Sequence, residues 1–409
     1  MTGPGILDGV RVVELASWTF VPSAGVALAE WGADVVEVDS LSGGDPARAL
    51  VVGGLSRAEA RADADFMLEI GNRGKRSIAV DVKTPTGRTI LENLIKNADV
   101  FLTNWRPSAL ERAKLTVDEL RRINPNLIIA RGSGNGVRGP DREKGGFDAA
   151  TYTARGGVAS TFAAPGAHQP PNQGPAFGDL QAGITLAGGV CGALFHRLQT
   201  GKPTIVDCSL LSQAMWAIAP AIGAAEMFGL DNLPPWSTPE TLVNPLSYRY
   251  QTKDQRWLQL VFLQPDRFWP GFCQRIGLGE LAQDPRFVPA SNLIANARHA
   301  AELLAAAFAE HDLDHWRAVL DDEPGVWEVI ATPGEVLRDR QVEPNGLTVT
   351  NADDNGNQYR VVAAPVQFNE TPPGPSRAPE HGQHTEEILL ELGWDWDQLG
   401  DAKDSGAIL

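Results

Sequence analysis

The chain has 409 residues, 43% hydrophobic and 21% charged, the proportions of a folded protein with a substantial core rather than a fibrous or disordered one. Its 35 Lys and Arg stand against 51 Asp and Glu, a net charge of -16. Such a field repels nucleic acid and anionic membranes, so neither is an expected partner, and any polyanionic ligand has to be caught by a local cationic patch. Cys191, Cys208 and Cys273 are an odd number at no metal-ligand spacing, which suits buried thiols in a reducing, cytoplasmic setting. No basic stretch followed by an apolar segment opens the chain, and no uncharged apolar run reaches the ~20 residues that cross a bilayer.

In chain order, residues 10–15 form a β-branched run of the kind buried in a parallel sheet, residues 22–31 a helix, and residues 34–38 a second strand. The alternation continues with a strand at 77–82, a helix at 86–97, a strand at 100–103, a helix at 117–124 and a strand at 127–130. Repeated β-α-β units of this kind predict an α/β fold with an open parallel sheet, Rossmann-like, and helices on both faces. Residues 132–178 are rich in Gly, Pro, Ala and Asn, too irregular for regular elements and long enough to be a functional loop. A small-residue helix at 180–199 ends at Gly201, a strand follows at 204–210, and residues 211–229 read as one long apolar helix kinked at Pro220. Residues 230–247, with four prolines, read as a linker.

Composition changes beyond that point. Residues 248–263 alternate like a hairpin, residues 266–320 are largely helical, and Glu323-Pro324-Gly325 closes the section. Antiparallel strands are expected within 347–368 around Asp353-Asp354-Asn355-Gly356, then an extended proline-rich arm at 372–379, a helix at 385–393 and an acidic tail at 398–409. The expected organisation is a large Rossmann-like domain at 1–210, a linker helix and extended linker at 211–247, a smaller α+β domain at 248–330, and strands, arm and helix at 331–409 that return to the large domain.

The first strand-to-helix turn, Ala16-Ser17-Trp18-Thr19-Phe20-Val21-Pro22, lacks the glycines that would let backbone approach a pyrophosphate, so dinucleotide binding is not indicated. No Walker A sequence, H-E-x-x-H or G-x-S-x-G occurs. His311 and His315 sit at i, i+4, but no third ligand accompanies them and no metal site is expected. Phe177-Gly178-Asp179 is more informative: a carboxylate behind a glycine opens a small-residue helix, where backbone amides stabilise negative charge. Taken alone, Asp179 reads as an ordinary helix cap.

Several ordered stretches carry a resemblance: Leu7-Asp8-Gly9-Val10-Arg11-Val12-Val13, Gly32-Ala33-Asp34-Val35-Val36, Asn72-Arg73-Gly74-Lys75-Arg76-Ser77, Asn104-Trp105-Arg106-Pro107, the Asp179 turn and Ala378-Pro379-Glu380-His381-Gly382. In these the chain resembles, almost end to end, the class III coenzyme A transferases of CaiB/BaiF type, which include formyl-CoA transferase, carnitine CoA-transferase and α-methylacyl-CoA racemase. The resemblance implies an interlocked homodimer, no permanently bound cofactor, acyl-CoA and a carboxylic acid as substrates, and Asp179 as the catalytic nucleophile. It further implies CoA contacts at Thr19, Val82, Lys83, Asn104, Trp105, Arg106, Arg112, Lys144 and Phe147, with Arg76 a further cation for phosphate. The implied reaction moves CoA through an aspartyl anhydride and an aspartyl-CoA thioester; the alternatives are a racemase and a CoA-binding protein without catalysis.

Three departures from the family pattern stand out. Glu37 and Asp39 occupy a place where relatives carry a basic residue for the nucleotide end of CoA. Residues 242–255 contain no glycine where formyl/oxalate enzymes have a glycine-rich flap. Phe147-Asp148 stands where racemases place a catalytic His before the Asp, and phenylalanine exchanges no proton, so one base of a two-base racemase is missing. The loop 145–175, with Tyr248 and Trp257, is expected to shape the acyl pocket.

Overall fold

Six short apolar runs form one all-parallel sheet in the computed structural model, which describes residues 5–55, 57–164, 167–231, 233, 238 and 241–409. The strands are β1 (Arg11–Leu15), β2 (Asp34–Asp39), β3 (Arg76–Ala79), β4 (Val100–Thr103), β5 (Ile128–Ser133) and β6 (Ile205–Ser209), in spatial order β3-β2-β1-β4-β5-β6. The order is that of a Rossmann-like fold. Alternation along each strand splits the core in two. Val12, Val35, Val100, Leu102 and Ile128 face one helical layer, while Val13, Val36, Phe101 and Ile129 face the other. A parallel sheet is stable only with both faces covered, and here both are.

The first layer is built on α1 (Phe20–Glu30). After α2 (Phe66–Asn72), the second layer takes α3 (Pro85–Lys96), with α4 (Pro107–Arg112) and α5 (Val117–Ile123) following β4. Two of these were missed in the sequence. α2 is short and starts on Asp65, whose carboxylate accepts the N–H groups of Met67 and Leu68; α4 starts on Pro107, whose absent N–H costs nothing at a first helical position. β3 starts and ends earlier than the expected 77–82, and β5 runs on to Ser133 because β6 pairs with it from Ile129 to Ser133.

The expected irregular stretch 132–178 is partly regular. Asp148–Arg155 form a wide π-helix and Val158–Phe162 form α6, around a buried Thr151-Tyr152-Thr153 segment. α7 (Phe177–Thr200) then crosses the first layer. The single apolar helix expected at 211–229 is two, α8 (Leu210–Ala217) and α9 (Ala219–Phe228); Pro220 lies in the first turn of the second rather than at a kink.

The chain divides into two units, Met1–Ile222 with Arg340–Leu409, and Gly223–Asp339. The opening residues 1–4, residues 232, 234–237 and 239–240 of the expected linker, and residues 165–166 of the expected acyl loop lie outside the described residues. The second unit has an antiparallel sheet, β7 (Arg249–Gln251), β8 (Trp257–Val261) and β9 (Val326–Val329), with β8 central. Its helices are α10 (Pro265–Arg275), α11 (Ala290–Ala295), α12 (Ala297–Phe308), α13 (Leu313–Leu320) and α14 (Pro333–Val336). Tyr250, Phe262, Trp269, Phe272, Phe308 and Trp316 fill its core. The buried indole N–H groups of Trp269 and Trp316 donate to Leu281 O and Phe308 O at 3.0 and 2.9 Å.

The C-terminal part of the first unit supplies the hairpin β10 (Thr348–Ala352) and β11 (Gln358–Val362), then α15 (Thr385–Glu391) and α16 (Trp396–Asp404). The expected acidic tail is therefore mostly helix, its first turn closed by reciprocal bonds between Asp395 and Gln398. This segment also protects the outer edge of β3. The His384 ring accepts the Ser77 N–H at 3.1 Å, Thr385 Oγ1 accepts that of Ala79 at 3.1 Å, and Ile408 bridges Val80.

Candidate active site

In an open parallel sheet, ligands bind beyond the carboxyl ends of the strands where the strand order reverses. Here the reversal lies between β1 and β4, and a cavity of about 1090 Å³ occupies that place. Ser17 and Trp18 reach it from the end of β1, Val82 and Lys83 from the segment after β3, and Asn104, Trp105 and Arg106 from the end of β4. Arg112 ends α4, Lys144 and Phe147 come from the loop after β5, and Asp179 comes from α7.

The start of α7 is fixed by close packing. Ala176 precedes it in the left-handed region at φ 57°, uncommon for a residue with a side chain. A Cβ on Gly178 would lie 2.2 Å from the Tyr152 ring, and one on Gly183 would lie 2.0 Å from Ser23 Oγ of α1. Small residues therefore let α7 settle against both the π-helix and α1, and Gly178, Ala182, Gly183, Leu186 and Val190 form its buried face at helical spacing. Asp179 falls in the first turn of this 24-residue helix, inside it rather than at the cap.

The capping work is done by another residue. Asp148 Oδ2 accepts the Gly178 N–H at 3.1 Å, while its buried Oδ1 has no partner among the described residues. Burial pushes the Asp148 carboxyl up, against the pull of the Gly178 and Phe177 amides. Asp179 itself is half-buried, and among the described residues its carboxylate has no hydrogen-bond partner in the chain. Burial, with Asp148 nearby as a second negative group, raises its carboxyl from the ordinary 3.8 to about 7. The helix terminus favours the charged form by about 0.3–1 kcal/mol, well short of offsetting a shift of that size. A carboxylate that has shed much of its water and bonds to nothing else is equipped to attack an electrophilic carbon.

The cavity reverses the charge of the whole chain. Of its lining cations, Arg88, Arg131 and Arg142 are paired with Glu92, Asp207 and Glu143. Lys83, Arg106, Arg112, Lys114 and Lys144 have no carboxylate partner among the described residues. Five unpaired cations around one concavity make it locally cationic in a chain of net charge -16.

Nine of the ten site residues expected from the sequence line this cavity: Asp179, Val82, Lys83, Asn104, Trp105, Arg106, Arg112, Lys144 and Phe147. Thr19 does not; it precedes α1 with 4% of its surface exposed. Asn104 holds the loop rather than pointing a free amide inward, since its side chain accepts the Ser17 N–H at 3.3 Å and donates to Ser17 O at 2.7 Å. Arg76, expected near phosphate, is engaged by Asp34, Glu387 and Glu391 and does not line the cavity.

Glu37 and Asp39 do not line it either. Asp39 takes the Ser77 hydroxyl at 2.8 Å and pairs with Arg48. Glu37 lies beside Glu14 in register, 1% exposed with both oxygens lacking a hydrogen-bond partner among the described residues, and burial raises it well above the usual carboxylate range. Lys75 spans to Glu14 at 2.5 Å in the same buried group. Sequence reasoning missed Trp18 as a wall of the cavity. The signal is conformational, a tryptophan at φ 72°, and a string of letters does not carry it. Of the cysteines, Cys273 is buried, Cys191 and Cys208 are partly so, and all three are free. His311 and His315 stack at 3.9 Å, and no helix among the described residues is long and apolar enough to cross a membrane.

An α/β protein with a cation-lined cavity at the switch point of its sheet is the class that fold and site define. Residues 7–385 match the family described as CoA-transferase family III, and the chain belongs to that family. It is 34% identical to (R)-2-hydroxy-4-methylpentanoate CoA-transferase of Clostridioides difficile, over 98% of this chain and 99% of the other. Cinnamoyl-CoA:phenyllactate CoA-transferase of Clostridium sporogenes is 31% identical over 95% and 94%. A crystal structure of a CAIB/BAIF family protein from Brucella suis superposes with a TM-score of 0.80 at 28% identity, covering 95% of this chain and 100% of that one.

Proposed function

We propose that this enzyme moves CoA from an acyl-CoA donor to a carboxylic acid acceptor with Asp179 as its covalent relay. The observation that carries the reading is the unbonded, half-buried Asp179 carboxylate facing a cavity whose free charges are otherwise cationic. Lys83, Arg106, Arg112 and Lys144 meet the 3′-phosphate and diphosphate of CoA as charge-assisted donors. Val82 and Trp105 give it apolar contact, Asn104 shapes the loop at Ser17, and Phe147 lies at the thioester end.

The steps balance without an added base. An Asp179 oxygen attacks the thioester carbonyl, the C–S bond breaks, and CoA thiolate leaves a mixed anhydride. The thiolate attacks the Asp179 carboxyl carbon, expelling the first carboxylate and leaving an aspartyl-CoA thioester. The acceptor carboxylate then displaces the thiolate to form a second anhydride, and the thiolate attacks the new acyl carbon, which regenerates Asp179.

The reading also includes a homodimer in the reducing cytoplasm, with CoA as substrate and no resident cofactor. Three free thiols suit that compartment, and exposed Phe195, Leu198 and Trp216 on α7 and α8 suit an apolar subunit contact. Hydroxylamine trapping followed by intact-mass and peptide analysis tests the relay: incubation with acyl-CoA should place the adduct on Asp179. Deuterium appearing at the α-carbon of a 2-methylacyl-CoA, with no acceptor needed and no adduct formed, would establish racemisation instead.

A further inference from the structure

Two large apolar side chains stand bare at the cavity wall: Phe147 is 60% exposed and Trp18 is 37% exposed. Their ring centroids are 5.6 Å apart with planes at 89°, an edge-to-face pair that presents two differently oriented aromatic surfaces. Trp18 is held there against its backbone preference. Its φ of 72° is in the left-handed region, while the Asp45 carboxylate accepts its N–H at 3.1 Å and Asn104 grips the neighbouring Ser17 at both N–H and C=O. Strain maintained by surrounding bonds at a cavity wall fixes where the indole sits.

The pair lines the same cavity as Asp179, and the chain ties the two together. Phe147 is followed by Asp148, whose carboxylate is bonded to the N–H of Gly178, and Asp179 is next in the chain. From the other side, α1 begins two residues after Trp18 and packs on α7 at Gly183, one turn from Asp179. The unpaired cations arise elsewhere: Lys83 after β3, Arg106, Arg112 and Lys114 on and around α4, and only Lys144 on the loop of Phe147.

We infer that Trp18 and Phe147 are the acyl-specificity residues, selecting a monocarboxylic acid with a bulky apolar side chain, branched or aromatic, over a dicarboxylic acid. The inference rests on the transferase reading above. An aromatic corner covers its exposed carbon surface with apolar substrate and, beyond the single indole N–H of Trp18, offers a second carboxylate no donor to replace lost water, so the discrimination has an attractive and a repulsive part.

The test is an acceptor panel with a common acyl-CoA donor: 4-methylpentanoate and 3-phenylpropanoate against succinate and glutarate, read as kcat/KM from acyl-CoA product. The apolar acids should exceed the dicarboxylates by about tenfold or more. Phe147→Ala and Trp18→Ala should each shrink that ratio several-fold, mainly through the acceptor KM, and Phe147→Leu should keep most of it, with circular dichroism checking that each variant is folded. Preference for succinate or glutarate in the unaltered enzyme would overturn the inference and assign Lys144 to the second carboxylate. A ratio untouched by both alanine variants would overturn it as well. Failure of the underlying reading is seen separately, as absence of any trapped adduct on Asp179 with every acyl-CoA tried, and it removes this inference too.

Discussion

Replacing Asp179 by Asn removes a charge that folding disfavours, so the variant should lose activity and gain stability together. The carboxyl is raised from 3.8 to about 7 on folding. A group raised in this way binds its proton more tightly in the folded chain, so stability falls as pH rises through the window between those two values. The shift of roughly three units corresponds to at most ~4 kcal/mol, and water in the open cavity reduces that to about 1–4 kcal/mol. The amide of the Asp179→Asn variant carries no such cost at any pH. The variant should therefore unfold several degrees higher than the parent at pH 8, and the gap should narrow by up to about 1.4 kcal/mol per pH unit below 7. Thermal unfolding of both proteins from pH 5.5 to 8.5 measures this, because titrating groups that do not interact with Asp179 cancel in the difference, leaving Asp179 and its neighbour Asp148. The parent's kcat/KM for acyl-CoA should rise with pH and level off above about 7 as the nucleophile ionises. A stability gap that does not change with pH would refute the argument.

Three further outcomes follow from the same geometry. Gly178→Ala drives a Cβ to 2.2 Å from the Tyr152 ring, so it should cost about 1–3 kcal/mol in thermal unfolding and at least tenfold in kcat by displacing Asp179. Lys83→Ala and Lys144→Ala should each raise the KM for acyl-CoA about fivefold, or about 1 kcal/mol, and flatten its dependence on salt; a KM indifferent to salt in the parent would remove the cations from CoA binding. Glu37→Gln keeps the shape of a group whose charge burial disfavours, so the variant should match or exceed the parent in stability and, measured by chemical denaturation, lose less of it as pH is raised from 5 to 9.

The sheet was legible because its strands are β-branched runs spaced by helices, a pattern that burial on both faces imposes. Lys83, Arg106, Arg112 and Lys144 were legible as candidates only through family likeness, since a cation reads the same whether free or paired. Arg76 illustrates the limit: its partners Glu387 and Glu391 lie more than three hundred positions away, and only folding reveals that its charge is already engaged. The burial of Glu37 and Asp39 was hidden for a related reason, as alternation puts them on a strand without saying that their face is covered. The π-helix at Asp148–Arg155 hid among glycines and prolines. It carries both Asp148, which caps α7, and Tyr152, which explains the glycine before Asp179.

The bonds from His384, Thr385 and Ile408 to the rim of β3 set an order on biosynthesis. All six strands of the sheet are encoded by residue 209, yet the groups that seal the open rim come only at residue 384 and beyond, so they are made long after the strands they protect. For that interval the nascent sheet offers unpaired N–H groups to any neighbouring strand, so a message truncated before residue 384 should yield an aggregating product rather than a shortened enzyme.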